Sequence, residues 1–130
     1  MSDLLVKSLN ERDARYHRRV GGTESIICFL EKDPWTPTSG YAKAQLIKLL
    51  TKIPLKENQC ERLRKVVIDV VDLRDRREFR HYCRLAFEVD SPKLRSQLAL
   101  RLRSDDPGIR RRAKWVLDYF SLREAQSKRK

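Results

Sequence analysis

A stripe of basic residues is the pattern in this sequence whose residue types and spacing are best suited to chemistry. Its members recur at intervals of three and four: Arg77, Arg80, His81 and Arg84. This spacing places side chains on one face of a helix. A guanidinium group donates two parallel hydrogen bonds to a phosphate or a carboxylate, so a row of arginines suits a chain of anions. The stripe therefore predicts a surface that binds a polyanion.

Basic residues that follow the stripe can extend it if successive helices stack side by side. With three arginines of the stripe they form the predicted binding set, which consists of Arg77, Arg80, Arg84, Arg111, Arg112 and Lys114. Aligned basic stripes on stacked helices make a groove that is able to follow a phosphate backbone. The competing interpretation is a solvated face, because Asp75, Glu78 and Glu88 offer local ion pairs.

Positive charge is unevenly distributed along the chain. The formal net charge is +12, and the last 40 of the 130 residues carry 12 basic and 4 acidic side chains. Nineteen of the 30 basic residues are arginine, which recognises phosphate and carboxylate groups bidentately. A genome-wide preference for arginine is the alternative explanation. The imbalance favours a localised basic surface, with a nucleic acid or an acidic protein as the partner.

Residues suited to catalysis or metal binding are sparse. The two histidines, His17 and His81, lie close to arginines and have no carboxylate placed to orient them. The four glycines form no phosphate-binding loop, and the cysteines and histidines do not have the spacing of a zinc site. We therefore expect a protein that is not an enzyme, with no cofactor, no metal and no evident small-molecule substrate.

The cysteines and the hydropathy of the chain bear on its compartment. Cys28, Cys60 and Cys83 are odd in number and fall at apolar positions of the sequence. They predict no disulfide framework, and they favour a reducing, intracellular compartment, cytoplasmic or nuclear. No segment reaches the roughly 18 apolar residues that span a bilayer, so we expect no membrane partner.

Two tryptophans are further candidates for contact with a partner. Trp35 lies in a proline-rich loop, and Trp115 lies off the main apolar line of its helix. Either ring can stack on a base or anchor a protein partner. For Trp35 we favour a role in closing the end of a helical core, and for Trp115 a role in sealing its helix against the next unit.

The elements that position these residues have helical periodicity. Helices are predicted over 3–20, 24–32, 41–53, 57–73 and 76–89, with two more that begin at Pro92 and Pro107. Asp75 is the expected N-cap of the helix over 76–89. A strand is the alternative for 24–32, and the β-branched residues between Val66 and Val71 suggest one within 57–73. Residues 33–40 are predicted to form a loop.

The length of the chain suits a single domain. We expect one helical domain over 1–125, in which 1–20 can form a peripheral helix, followed by a basic tail over 126–130. The predicted fold class is all-α, with six to seven helices. They are arranged either as stacked helical hairpins or as an irregular bundle.

One capping phrase occurs twice near the C-terminus. It reads Asp90-Ser91-Pro92-Lys93-Leu94-Arg95 and then, fifteen residues later, Asp105-Asp106-Pro107-Gly108-Ile109-Arg110. The second copy, with Ala113 and Leu117 after it, resembles the start of the second helix of a HEAT repeat. A full two-helix repeat takes about 40 residues, so the two copies mark successive helices.

The resemblance to HEAT and armadillo repeats covers about residues 90–120, with a looser echo over 75–89. It implies a stack of helices in which Asp106 and Arg110 support neighbouring turns, with Arg95 and Arg110 bracing the stack. Residues and resemblance together predict a helical-repeat module that binds RNA or DNA through its arginine-rich face. The alternative is an adaptor or scaffold that binds an acidic peptide or partner domain.

Overall fold

Six α-helices and no strand make up the part of the chain that the computed structural model describes, residues 22–34 and 39–128. The helices are α1 (Gly22–Lys32), α2 (Ser39–Leu50), α3 (Glu57–Leu73), α4 (Phe79–Glu88), α5 (Pro92–Arg101) and α6 (Pro107–Lys128). They pack as a bundle, so the all-α prediction is confirmed in its bundle form. The helix predicted over 3–20, together with Trp35, lies outside the described residues.

The segments for which a strand was the alternative are helical. α1 contains the whole apolar run from Ile26 to Leu30, and α3 has the bounds that the sequence predicts. The valines at positions 66, 67, 70 and 71 are all buried. A helix places residues at this spacing on one face, whereas a strand turns neighbouring side chains to opposite faces. The helical period therefore outweighs the β-branched composition.

The two capping phrases begin α5 and α6 as predicted. The Ser91 hydroxyl accepts a hydrogen bond from the N–H three residues later at 3.1 Å, and Pro92 opens α5. The Asp106 carboxylate accepts one from the Gly108 N–H at 2.8 Å, just after Pro107 opens α6. Both caps satisfy backbone donors that have no partner within the helix.

The start of α4 corrects one prediction. The helix begins at Phe79 and not at residue 76, and its N-cap residue, Glu78, makes no side-chain cap hydrogen bond. Asp75 is not a cap, because its carboxylate accepts hydrogen bonds from Arg111 and Arg112 of α6. The local sequence pattern assigns the Asp75 carboxylate to the start of α4, but in the fold this carboxylate bonds to arginines that are distant in sequence.

Two helix ends also differ from the predictions. α2 ends at Leu50, before residue 53, because the chain tightens into a turn in which the Lys52 N–H bonds to the Leu49 carbonyl. α6 continues through Lys128, where the sequence predicts a tail from 126. An ion pair between Glu124 and Arg95 of α5, at 3.1 Å, ties the late turns of α6 to the bundle.

α4 packs against α2, α3 and α6. Tyr82, Leu85 and Ala86 of this helix are buried in the shared core. Only a strip of α4 stays open to solvent, and Arg80 lies on it. In the described ranges, no helix has the length and apolar character that crossing a membrane requires.

Candidate basic cleft

A cleft of about 830 Å³ lies between the start of α2 and the connection from α3 to α4. We call it the basic cleft. It is lined by residues 39–41, 44, 74–78, 80 and 81. α2 contributes the exposed Tyr41, the connection contributes Arg74, Arg76 and Arg77, and the first turn of α4 contributes Arg80. The α3–α4 connection and the first turn of α4 thus supply the cationic side chains, and the N-terminus of α2 forms the opposite wall of the cleft.

A network of buried charges lies beneath the basic cleft. Arg76, whose side chain is 3% exposed, donates hydrogen bonds to the two Asp33 oxygens at 2.8 and 3.3 Å. Lys43 of α2 donates to the same carboxylate. The buried Glu78 carboxylate lies 3.8 Å from Arg76 and 3.9 Å from Lys43. Two cations face two carboxylates here, so the network is balanced and adds no net charge to the cleft.

Two local features lie next to this network. Asp33 follows the last residue of α1 with a positive φ of 48°, and its N–H bonds to the Phe29 carbonyl at 3.1 Å. Burial raises the pKa of Asp33, but hydrogen bonds from Arg76 and Lys43 outweigh that effect and lower it overall. At position 40 a glycine leaves room for the Glu78 carboxylate, because a Cβ would lie 3.0 Å from its Oε1. A carboxylate beside the first turn of α2 is favoured by the helix dipole.

Asp75 lies in the wall of the cleft, but its charge is already engaged. Its Oδ2 accepts a hydrogen bond from Arg111 at 2.6 Å, and its Oδ1 accepts one from Arg112 at 2.7 Å. The hydrogen bond from Arg112, aided by that from Arg111, lowers the pKa of Asp75 below its usual value. One carboxylate between two guanidinium groups cannot also neutralise the arginines of the cleft.

Three arginines of the basic cleft remain uncompensated. Arg74, Arg77 and Arg80 form no ion pair within the part of the chain that the structure describes, and Arg77 and Arg80 are exposed. Each carries a full positive charge at neutral pH. Their convergence makes the cleft a local excess of positive charge that is exposed to solvent.

The pKa of His81 is affected by the same excess of positive charge. Burial lowers the pKa of this half-buried imidazole, and the nearby cations Arg80, Lys48 and Arg84 lower it further, with only Glu78 opposing them. The side chain is therefore neutral at pH 7 and adds no charge of its own. Lys48 of α2 and Arg84, one turn beyond Arg80 on α4, extend the positive region past the cleft.

The predicted binding set divides into two groups in the structure. Arg77 and Arg80 line the basic cleft, and Arg84 lies next to it on α4, with its Nε buried and without a hydrogen-bond partner in the described part of the chain. The other three members lie on α6, and two of them bond to Asp75 in the wall of the cleft. Among the described residues, only the first group is without ion pairs.

Each residue of the second group has a partner within the fold. Arg112 is 5% exposed and donates a hydrogen bond to the Val71 carbonyl at 2.7 Å, besides its bond to Asp75. Arg111 pairs with Asp75 and lies over the Trp115 ring, 5.4 Å from its centroid. Lys114 pairs with Asp118, one turn further along α6, at 2.8 Å. The structure places Arg112 in the interior, where a partner cannot reach it.

Sequence reasoning missed three residues at or near the basic cleft. Arg74 belongs to a run of three arginines around Asp75, and that run was a usable signal. Tyr41 and Lys48 lie on α2, about 30 to 40 residues before the stripe in sequence. Only the packing of α2 against α4 brings them near it, and the spacing of residues within α4 carries no trace of that packing.

A second groove, of about 480 Å³, lies between α4 and α6 and shares Arg80 with the basic cleft. Trp115 lies in its wall and is 43% exposed. The indole packs edge-on against Phe79 at a centroid distance of 5.7 Å, and the Arg111 guanidinium lies over the ring. The ring is thus partly covered by side chains of α4 and α6.

The described residues contain no group of three or more histidine, cysteine, aspartate or glutamate side chains that is placed to hold a metal ion. Over the ranges that the structure describes, the fold is an all-α bundle of six helices with a basic cleft between the start of α2 and the start of α4. Comparison of the chain with protein-family models, with curated proteins and with solved structures found no match. The resemblance to HEAT repeats therefore stays a prediction from the sequence.

Proposed function

We propose that this protein is a non-enzymatic module that binds RNA or DNA through the phosphates, which it holds in the basic cleft. The observation that carries the proposal is the convergence of Arg74, Arg77 and Arg80 without ion pairs of their own among the described residues. Arginines that stabilise a fold have partners within it, as Arg112 does. Guanidinium groups gathered without partners suit an anion that comes from outside.

A chain of phosphates fits this surface because the phosphates are negatively charged and recur along the polymer. Like charges in one cleft repel one another, and a bound polyanion relieves that repulsion while it releases its own counterions. The carboxylates of the cleft do not oppose it strongly, since Asp75 is bonded to two arginines and Glu78 is buried beside two cations. Lys48 and Arg84 continue the positive region along α2 and α4, as a polymer that passes the cleft requires.

An adaptor that binds an acidic peptide would use the same guanidinium groups, because carboxylates and phosphates both accept bidentate hydrogen bonds. The two functions differ in which ligand the protein binds when an acidic peptide and an oligonucleotide compete for it. A polyglutamate peptide and an oligonucleotide of equal charge therefore belong in one experiment. Retention of the peptide with no detectable binding of the oligonucleotide would replace the nucleic-acid proposal with the adaptor.

The test is a fluorescence-anisotropy titration with labelled oligonucleotides of about 20 nucleotides. Contacts from three arginines to phosphates predict that raising the salt from about 50 mM to about 200 mM weakens single-strand binding roughly 20-fold. No binding at the lower salt concentration would overturn the proposal. Binding that is insensitive to salt would equally exclude a phosphate-driven mode.

A pair of matched variants locates the binding on the molecule. Arg77→Gln/Arg80→Gln removes two charges from the cleft, and Lys65→Gln/Lys93→Gln removes two from the groove between α3 and α5, which shares no residue with the cleft. We expect the first variant to lose at least about tenfold in affinity and the second to lose much less. Equal losses would mean general attraction to a basic protein and would refute the assignment to the cleft. Thermal melting of both variants verifies that they are folded.

A further inference from the structure

An exposed aromatic ring stands at the edge of the basic cleft. Tyr41, in the first turn of α2, is 64% exposed and lines the same cleft as Arg77 and Arg80. The three residues that follow it on α2 are buried, so the backbone that carries the ring is held by the core. The phenol itself has no ring contact or hydrogen bond within the described part of the chain, and it leaves a flat apolar surface beside two free guanidinium groups.

The packing of α4 restricts how a duplex can meet these groups. An α-helix that reads a duplex enters the major groove, which is about 12 Å wide, as wide as the helix with its side chains. α4 packs against α2, α3 and α6, and a helix held among three others does not enter a groove of that width. A duplex would therefore meet the arginines of the cleft through its phosphates, whereas a single strand can also place a base against the cleft.

We propose that the basic cleft binds single-stranded nucleic acid in preference to duplex, with phosphates on Arg77 and Arg80 and a base stacked on Tyr41. This inference rests on the proposed function and makes it specific to one form of the polymer. In a duplex, both faces of each base are covered by its neighbours, so an external ring finds nothing to stack on. In a single strand a base can turn out and lie against an aromatic side chain, independently of its identity.

The experiment compares three ligands of equal length: a single strand, the corresponding duplex, and a single strand whose central nucleotides are abasic. The abasic strand keeps the phosphates and removes the bases. We expect the intact single strand to bind at least about tenfold more tightly than the other two, which is the usual effect of one or two stacked bases. Equal affinity for all three ligands would overturn the stacking proposal.

Variants of Tyr41 assign the stacking to this ring. Tyr41→Ala is expected to weaken binding of the intact single strand about tenfold and to leave the abasic strand and the duplex unchanged. Tyr41→Phe keeps the ring and should bind like the parent protein, whereas Tyr41→Leu keeps an apolar side chain and should behave like the alanine variant. Because Tyr41 is exposed, all three variants should melt at the temperature of the parent.

The outcomes separate this inference from the proposed function. If Tyr41→Ala binds every ligand as well as the parent does, and Arg77→Gln/Arg80→Gln still loses affinity, then the cleft binds phosphates but stacks no base on Tyr41. The inference then fails and the proposed function stands. If no ligand binds even at low salt, the proposed function itself fails.

Discussion

Arginines occur in two settings in this bundle, and the two settings differ in what the guanidinium group touches. Between the helices, an arginine bonds to a carboxylate or to a backbone carbonyl of another element, as Arg101 does with Asp72 at 2.7 Å and Arg64 with the Val89 carbonyl. In the basic cleft, Arg77 and Arg80 have no such partner among the described residues. The same residue type therefore holds the fold together in one region and faces solvent in the other.

The interhelical arginines have a common physical role at the ends of helices. The last carbonyls of a helix have no N–H partner within it and form the negative end of its dipole. Val71 lies in the last turn of α3, and its carbonyl accepts a hydrogen bond from Arg112 of α6. Val89 is the C-cap residue of α4, and its carbonyl accepts one from Arg64 of α3. In each case a charged donor from a neighbouring helix closes the end of the helix that it packs against.

The contrast shows why the number of arginines overstates the binding surface. A net charge of +12 predicts a basic protein, but many of its arginines are neutralised by carboxylates brought together by folding. Arg95, for example, is held by Asp90 at 2.6 Å and by Glu124 at 3.1 Å. Only the arginines that remain after this pairing are available to a partner. Substitution of an interhelical arginine should therefore lower stability, whereas substitution of a cleft arginine should lower binding affinity and leave stability nearly unchanged.

The largest effect is expected for Arg112→Ala. The variant leaves the buried Val71 carbonyl without its donor and removes an ion pair between α6 and the α3–α4 connection. We expect the free energy of unfolding to fall by about 2–4 kcal/mol, in the range for a buried acceptor that loses a charged partner. Urea denaturation monitored by circular dichroism measures it.

Arg111→Ala is the matched control for this prediction. Arg111 pairs with the same Asp75, but it is exposed and bonds to no backbone carbonyl in the described ranges. We expect a much smaller loss of stability, because exposed ion pairs contribute little. Similar losses in the two variants would show that the carbonyl contact is unimportant and would remove the proposed role of the interhelical arginines.

A smaller loss is expected for Arg64→Ala. The side chain is less deeply buried than Arg112, and the Val89 carbonyl that it contacts lies at the end of α4. We expect about 1–2 kcal/mol in the free energy of unfolding. Lys65→Ala, at the next position on α3 and exposed, is the control and should change stability little. An unchanged denaturation midpoint in Arg64→Ala would contradict the capping role.

The parts of the fold that were predictable from the sequence are those that depend on near neighbours in the chain. Ser91-Pro92 and Asp106-Pro107 mark the starts of two helices because a cap acts over three residues. The bounds of α3 follow from the apolar spacing within it. The start of α4 was not predictable in this way, since Asp75 is bonded to residues 36 and 37 positions away.

The residues of the candidate site likewise divide into those that local spacing predicts and those whose role depends on distant contacts. Arg80 was identified because its spacing places it on the solvent face of α4. Arg77 was named for the same spacing, but it precedes α4 and reaches the cleft from the connection. Arg112 was misplaced because the carbonyl of Val71, 41 residues earlier, is its partner, and a backbone carbonyl leaves no mark in the sequence. Tyr41 was missed because its significance comes from the packing of α2 beside α4. Periodicity predicts which face a residue occupies, whereas only the fold determines what that face meets.

The smallest expected effect is a pH dependence that comes from the pKa of His81. It concerns both the stability of the fold and binding in the cleft. Burial and the cations around it lower this pKa in the folded protein from the ordinary value of 6.5. The unfolded chain therefore binds more protons than the folded one near that pH, and stability should decrease as the pH falls through 6.5. His81→Gln should remove this decrease, and His17→Gln, which alters the other histidine, should retain it.

Binding should have the opposite dependence on pH. A phosphate beside His81 favours the imidazolium form, so it raises the pKa of His81 and the complex takes up a proton. Affinity for an oligonucleotide should thus rise modestly as the pH falls from about 7.5 to about 5.5, while the free protein becomes less stable over the same range. NMR titration of the His81 imidazole with and without the oligonucleotide measures both shifts. A pKa that is unchanged on binding would place the phosphates away from α4, and the unpaired arginines of the cleft would then need another explanation.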